Sequence, residues 1–177
     1  MALLVLAYPE ISKVDYERIQ TFRQQYDPLY YTVVEPQITL IFPVTDWTPD
    51  KFTAEVQKQT VDLTAINICL RCAVLNKDAF SDTFHTFLVP DEGYGAIVRL
   101  HDRLYADKLF PNRALAVDFI PHMGIGNSLD PLVCLDMVRG WNQQDFAIAG
   151  YVTALDVVNY EDDQVETLER ILLEKQD

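Results

Sequence analysis

Four residues carry the chemistry this sequence could do, and they fall in two short stretches of similar pattern. Pro36-Gln37-Ile38-Thr39-Leu40-Ile41-Phe42-Pro43 is echoed by Pro121-His122-Met123-Gly124-Ile125-Gly126, which places Gln37 and His122 85 residues apart. Each copy is proline, a polar residue, an apolar residue, a small residue and another apolar residue. Imidazole has an unperturbed pKa of about 6.5, so His122 can take up or give a proton near neutral pH. Glutamine cannot, but the Gln37 amide donates hydrogen bonds, and the Thr39 hydroxyl both donates and accepts. Gly124 offers open space and a backbone N–H for close approach.

Positioning these groups requires extended backbone. Side chains alternate along a strand, so Gln37 and Thr39 share one face while Ile38, Leu40 and Phe42 share the other. His122 and Gly124 sort together in the same way, and Met123 and Ile125 turn to the core. Two such strands side by side would form one cleft floored by Gln37, Thr39 and His122.

The rest of the chain supplies the frame. Ala2 to Tyr8 reads as a buried strand ended by Pro9. Ser12 and Asp15 resemble a capping box, and Tyr16, Ile19, Phe22 and Tyr26 recur at helical spacing, so a helix runs from about Lys13 to Tyr26 and stops before Pro28. Leu29 to Val34 leads into the first motif strand, which Pro43 closes. Thr48-Pro49 starts a short helix carrying Phe52 and Val56. Leu63 to Leu75 predicts a strand, Asp78 to Asp82 a turn, and Phe84 to Val89 a strand closed by Pro90. Gly93 to Ala106 is an amphipathic helix with Ile97, Leu100 and Leu104 on its stripe. A loop through Pro111, Asn112 and Arg113 leads into Ala114 to Phe119 and the second motif. Asp130-Pro131 caps a helix that Gly140 ends. Phe146 to Tyr160 and Val165 to Leu173 read as two closing strands around Glu161-Asp162-Asp163, the last segment being equally readable as a short helix. Helices and strands therefore alternate in two halves of similar order. That predicts an α+β fold of two lobes around a shared cleft, with residues 1–177 as one domain. The glycine-rich turn that dinucleotide binding requires after a first strand is missing.

Composition narrows the function. Twenty-seven acidic against 14 basic residues give a formal net charge of −13, and the basic residues are scattered. Long nucleic acid is held largely by lysine and arginine, so bulk binding of DNA or RNA is disfavoured, while a small phosphorylated ligand or nucleotide in a local pocket is compatible. The longest apolar run, Ala2 to Ala7, is too short to span a bilayer and lacks the flanks of a signal peptide, which predicts a soluble, cytoplasmic protein. Cys69, Cys72 and Cys134 are an odd number without an export signal, and they read as structural thiols in a reducing compartment. Cys69-Leu70-Arg71-Cys72 has metal-site spacing, but on a strand its two thiols face opposite ways and no second pair completes a ligand set.

The two motifs resemble those of the two-histidine (2H) phosphoesterases, which include the 2′-5′ RNA ligase-like and cyclic phosphodiesterase proteins. That family carries two strands of the pattern His-x-Thr/Ser, often within Pro-His-Ile-Thr-Leu followed by an aromatic residue and proline. Pro36 to Pro43 matches it except at Gln37, and Pro121 to Gly126 matches it except at Gly124. The resemblance spans almost the whole chain. It implies a bilobal fold, two pseudo-symmetric antiparallel-sheet lobes flanked by helices around a central cleft. It also implies acid/base chemistry on a small cyclic or 2′-5′ phosphodiester, with no cofactor and no metal. His122 would be the surviving acid or base, and Gln37, Thr39 and Gly124 would line the substrate. A positioned acid or base contributes ~10²–10⁴-fold. A hydrogen bond to a charged group contributes ~1.5–3 kcal/mol, so this altered site predicts a deficit of ~10³–10⁶-fold against an intact one. A nucleotide-binding module without turnover, and a protein acting through its acidic surface, are the alternatives. His85 and His101 read as structural, although His85 would stand in for the missing partner if its strand borders the cleft. Arg71, Arg99, Arg103 and Arg113 suit phosphate clamping by residue type alone, and Tyr30, Tyr31, Phe42 and Tyr94 could stack on a base.

Overall fold

A short, continuously apolar run is what a strand paired on both edges looks like in sequence. In the computed structural model, which describes residues 1–175, strand β1 (Ala2–Ala7) lies between two antiparallel partners, with Val5 opposite both Ile41 and Val157. The chain continues through β2 (Glu10–Ile11), α1 (Lys13–Tyr26), β3 (Ile38–Val44), α2 (Pro49–Thr60), β4 (Ile66–Lys77), β5 (Phe84–Glu92) and α3 (Tyr94–Leu104). A 3₁₀ turn (Asp107–Asn112) precedes β6 (Met123–Ser128), α4 (Pro131–Asn142), β7 (Ile148–Val152), β8 (Ala154–Glu161) and β9 (Gln164–Leu172).

The strands form two antiparallel sheets, in the orders β3-β1-β8-β9 and β2-β7-β4-β5-β6. Two apolar cores form, the first also taking in Ile68 of β4 and Val152 of β7. Phe52 and Val56 of α2 and Ile97, Leu100 and Leu104 of α3 pack with Leu3, Val5, Ile38, Leu40 and Leu155 of the first sheet. Ile19 of α1 and Val138 and Trp141 of α4 pack with Leu70, Leu88, Met123, Ile125 and Ile148 of the second. The α+β architecture of two helix-flanked sheets agrees with the sequence reading.

Local chemistry explains most element boundaries. The Ser12 hydroxyl accepts from the Asp15 amide at 3.1 Å and donates to the Asp15 carboxylate at 2.6 Å. Asp130 accepts from the Leu132 amide at 2.9 Å, and such caps are each worth about 1 kcal/mol. Thr48 stands at its cap position before Pro49 without a side-chain cap bond. Gly93 has φ +82°, and a Cβ there would lie 2.2 Å from the Asn67 carbonyl oxygen, so only glycine fits the β5–α3 junction.

Several elements differ from the sequence reading. Phe146 to Tyr160 is two strands in different sheets, because the chain crosses over at Thr153, whose hydroxyl donates to Glu10 at 2.6 Å. Threonine has strand propensity, so nothing local marks the crossing. β5 continues through Pro90 to Glu92, where Pro90 sits at a bulge beside β4 and beyond the residues that pair with β6. A missing N–H is tolerated at such a place. Helix α4 runs two residues past Gly140 because Trp141 anchors its last turn in the core. The final segment is the strand β9, paired along its length with β8. Among the described residues no helix is long and apolar enough to cross a membrane.

Candidate active site

The two motif strands are not neighbours: β3 is the edge of one sheet and β6 the edge of the other. Gln37 immediately precedes β3 and His122 immediately precedes β6. The sheets nonetheless bring Gln37, Thr39, His122 and Gly124 to one cleft of about 580 Å³. Its floor therefore comes from two opposed sheets rather than from adjacent strands, which corrects the sequence reading. Phe42 is a second correction. Bulges in the β1–β3 pairing advance the side-chain alternation, so Ile41 is buried in the core and Phe42 turns into the cleft. Ile38, Leu40, Met123 and Ile125 are buried as expected.

His122 is held in one tautomer. Its Nδ1 lies 2.5 Å from the Ile120 carbonyl oxygen, which can only accept, so Nδ1 carries the hydrogen and Nε2 keeps its lone pair. The ring stacks on Phe87 with centroids 3.6 Å apart and planes 17° from parallel. Desolvation, with a smaller contribution from nearby His85, pushes its pKa down to about 4 against the opposing pull of the Ile120 carbonyl. His122 is therefore a neutral imidazole at pH 7. Among the described residues the buried side-chain nitrogens and oxygens without a partner are Trp141 Nε1 and Asn159 Oδ1. His122 Nε2 is not one of them, so this unbonded nitrogen reaches solvent.

Across the cleft the Thr39 hydroxyl donates to Gln37 Oε1 at 3.2 Å. That bond fixes the amide so that its N–H₂ group is the end left to donate to a ligand. At Gly124 an added Cβ would meet nothing within 4 Å, so the position is an open part of the wall. At Gly126 a Cβ would lie 2.7 Å from Met137 Sδ and 3.2 Å from the Tyr26 carbonyl oxygen, which ties that glycine to close helix packing.

The segment that delivers Gln37 is tied down by a buried ion pair that sequence reasoning missed. Arg23 and Asp27 are 2% and 3% exposed, and Arg23 Nε donates to Asp27 Oδ2 at 2.9 Å. The same guanidinium donates to Gln20 Oε1 and to the carbonyls of Tyr30 and Val34 at 2.8–3.0 Å. Asp27 Oδ1 accepts from the Tyr30 amide and from Asn127 Nδ2 at the far end of β6. Residues 27–36 are thereby bound to α1 and to the second sheet. Of the arginines, Arg23 lines the cleft, and Arg71, Arg99, Arg103 and Arg113 do not. Arg71 pairs with Asp91, Arg113 with Asp102, and Arg103 with the Val61 carbonyl. The available signal for Arg23 was its i, i+4 spacing to Asp27 at the end of a helix.

His85 does border the cleft. It is 7% exposed, its Nε2 lies 3.2 Å from Asp78 Oδ2, and its ring stacks with Phe87 at 5.6 Å and 15°. Tyr30 continues the column at 6.3 Å. His101 is buried behind β3, with Nδ1 2.8 Å from the Leu40 carbonyl oxygen and its ring 3.7 Å from Phe119. Its role is structural. Tyr30 and Phe42 line the cleft, and Tyr31 and Tyr94 do not. The charged lining is acidic on balance: Asp27, Glu35, Asp78 and Asp118 against Arg23 and Lys77. Both cations are engaged, Arg23 as above and Lys77 with the Ser81 carbonyl and Asp82. Among the described residues no group of three or more histidines, cysteines or carboxylates is arranged to hold a metal ion. Cys69 and Cys134 are buried thiols, and Cys72 is exposed.

Solved structures share this architecture over nearly the whole chain. TT0787 of Thermus thermophilus superposes with a TM-score of 0.62 at 10% identity, covering 100% of both chains. Escherichia coli LigT, crystallised with NADP+, gives 0.59 at 13% identity and 97% of both chains. Kluyveromyces marxianus Usb1 gives 0.58 at 7% identity, covering 97% of this chain and 98% of that one. At such low identities these likenesses show the fold. No curated protein matches the sequence. The profile of the 2′-5′ RNA ligase superfamily, however, matches residues 11–164. That span holds both motif strands and the helices that position them, so the chain belongs to the 2′-5′ RNA ligase superfamily of 2H phosphoesterases.

Proposed function

We propose that the cleft binds a small nucleotide or cyclic phosphodiester and that His122 is the general base for its hydrolysis. The observation that carries this reading is the His122 geometry: Nδ1–H locked on the Ile120 carbonyl and a neutral, solvent-reaching Nε2 in a cleft with Gln37 and Thr39. A base must be unprotonated and within reach of a water or hydroxyl. A pKa of about 4 keeps His122 unprotonated from mildly acid pH upward. The Gln37 amide hydrogens are suited to a phosphate oxygen, and Thr39 holds that amide in place. Crystals of LigT with 3′-AMP, ATP and NADP+ add support for a ligand of nucleotide size.

The direct test is hydrolysis of 2′,3′-cyclic nucleotides by the natural protein and by His122→Ala. The variant is expected to lose ~10²–10⁴-fold in kcat/KM, and activity unchanged by the substitution overturns the assignment. Gln37, which cannot exchange a proton, favours a second reading in which the cleft binds without turnover. An inert natural protein that binds 3′-AMP in a calorimeter, with binding weakened by Thr39→Ala, would establish that alternative.

A further inference from the structure

The structure points to His85, paired with Asp78, as the second proton-transfer group of the cleft, standing in for the imidazole that Gln37 lacks. This inference rests on the phosphodiester reading above and names the general acid for it. Strand register sets the geometry. His85 and Phe87 are two residues apart on β5 and share its cleft face, and Phe87 pairs with Gly124, two residues beyond His122 on β6. The Phe87 ring is consequently sandwiched between the two imidazoles, 3.6 Å from His122 and 5.6 Å from His85, with planes 17° and 15° from parallel. The spacer holds the imidazoles one ring apart on a common wall.

An in-line displacement at phosphorus asks for that separation, because the attacking and leaving oxygens lie on opposite sides of the reacting atom. A phosphorus seated beside the edge of Phe87 has His122 at one end of its reaction axis and His85 at the other. His85 Nε2 is engaged by Asp78 Oδ2 at 3.2 Å. Nδ1 has no hydrogen bond among the described residues, yet it is not one of the buried polar atoms left without a partner, so it reaches solvent. A carboxylate on the far nitrogen orients the ring, which positions Nδ1 to deliver a proton. Asp78 is itself fixed by the Phe80 amide at 2.7 Å. Its carboxyl lies below the ordinary range: burial raises it, and hydrogen bonds from the Phe80 amide and His85 outweigh that.

The step balances as a hydrolysis. A water oxygen forms a bond to phosphorus as its proton passes to His122 Nε2. The bond from phosphorus to the ribose 2′ or 3′ oxygen breaks, and that oxygen takes the proton from His85 Nδ1. Solvent then carries a proton from His122 back to His85. Asp78 from the β4–β5 turn, Lys77 at the end of β4, Tyr30 from the segment after α1 and His122 from β6 are the titratable groups gathered around His85 at the cleft.

Leaving-group dependence tests the assignment. A 2′,3′-cyclic nucleotide leaves as a ribose alkoxide and needs a proton, whereas p-nitrophenolate from a nucleoside 3′-(p-nitrophenyl) phosphate does not. His85→Gln is expected to lose ~10²–10⁴-fold in kcat/KM on the cyclic substrate and less than about threefold on the p-nitrophenyl ester. Asp78→Asn, which leaves the ring in the cleft without its orienting carboxylate, should likewise lose activity on the cyclic substrate and not on the p-nitrophenyl ester. Equal loss on both esters, or no loss on either, overturns the role of His85 while leaving His122 as base. A natural protein inert toward both esters overturns the phosphodiester reading as well.

Discussion

Replacing Gly124 by threonine restores the second hydroxyl that the two-histidine pattern calls for, and the structure allows its effect to be worked out. Nothing lies within 4 Å of the Cβ that the substitution adds, so the new side chain enters free cleft space. Gly124 lies within β6 opposite Phe87 and has no left-handed φ, so a β-branched residue fits its backbone. Threonine there should raise folding stability by about 0.5–1 kcal/mol through reduced chain entropy and better strand propensity. A hydroxyl donating to an anionic oxygen is worth ~1.5–3 kcal/mol. If that bond acts in the transition state, kcat/KM rises ~10–100-fold. Urea unfolding and steady-state hydrolysis of a 2′,3′-cyclic nucleotide give the two numbers separately. A variant that gains stability while kcat/KM stays within twofold of the natural protein would refute the placement of Gly124 beside the reacting phosphate. Adding Gln37→His separates the roles of the two walls. With His85 intact a further acid is largely redundant, so the gain should be below about tenfold. In a His85→Gln background the same substitution should recover ~10²-fold or more. Equal gains in both backgrounds would show that His85 and position 37 do not share a role.

Acid sensitivity follows from His122. Its folded pKa of about 4 lies below the unfolded value of 6.5, so between those limits the unfolded chain binds a proton that the folded chain refuses. Stability is complete above pH 6.5 and falls on acidification toward pH 4, by up to about 3 kcal/mol from this group. Buried His101 is also shifted down, chiefly by desolvation, and adds loss of the same sign. Urea midpoints at pH 7.5, 6 and 5 should therefore decline, and less steeply for His122→Gln; parallel declines would contradict the assignment. Removing one partner of the Arg23–Asp27 pair leaves a guanidinium almost wholly buried without its counter-ion. Asp27→Ala should accordingly cost ~3–5 kcal/mol in urea unfolding, and a cost below 1 kcal/mol would show that the network does not secure the segment leading to Gln37.

What the sequence could disclose followed physical range. The Ser12 cap and the helix from Lys13 to Tyr26 rest on contacts within four residues, and the burial of Ile38, Leu40, Met123 and Ile125 rests on simple alternation, so these were readable. The crossing at Thr153, the bulges that turn Phe42 into the cleft and the passage of β5 through Pro90 depend on which strand lies alongside, a fact no local pattern encodes. The repeated motif identified four residues that do share a cleft but not their arrangement. It suggested two strands side by side, whereas β3 and β6 are the outer edges of separate sheets.

That arrangement bears on the role proposed for His85. Because the two walls belong to different sheets, a proton-transfer group need not come from the strand that carries the first motif. Any residue on the cleft face of the second sheet at suitable separation from His122 can serve. β5 provides such a residue in His85, and β5 pairs directly with the His122 strand through the register that sets Phe87 opposite Gly124. On the reading proposed above, Gln37 donates its amide hydrogens to an anion, with Thr39 fixing its orientation. That division suits a cleft whose cations, Arg23 and Lys77, are already committed to protein acceptors. On that reading, with four carboxylates on the lining, neutral donors such as this amide share in holding the phosphate. Such a lining is expected to favour the singly charged diester over a doubly charged monoester, whose second charge would meet Glu35, Asp78 and Asp118.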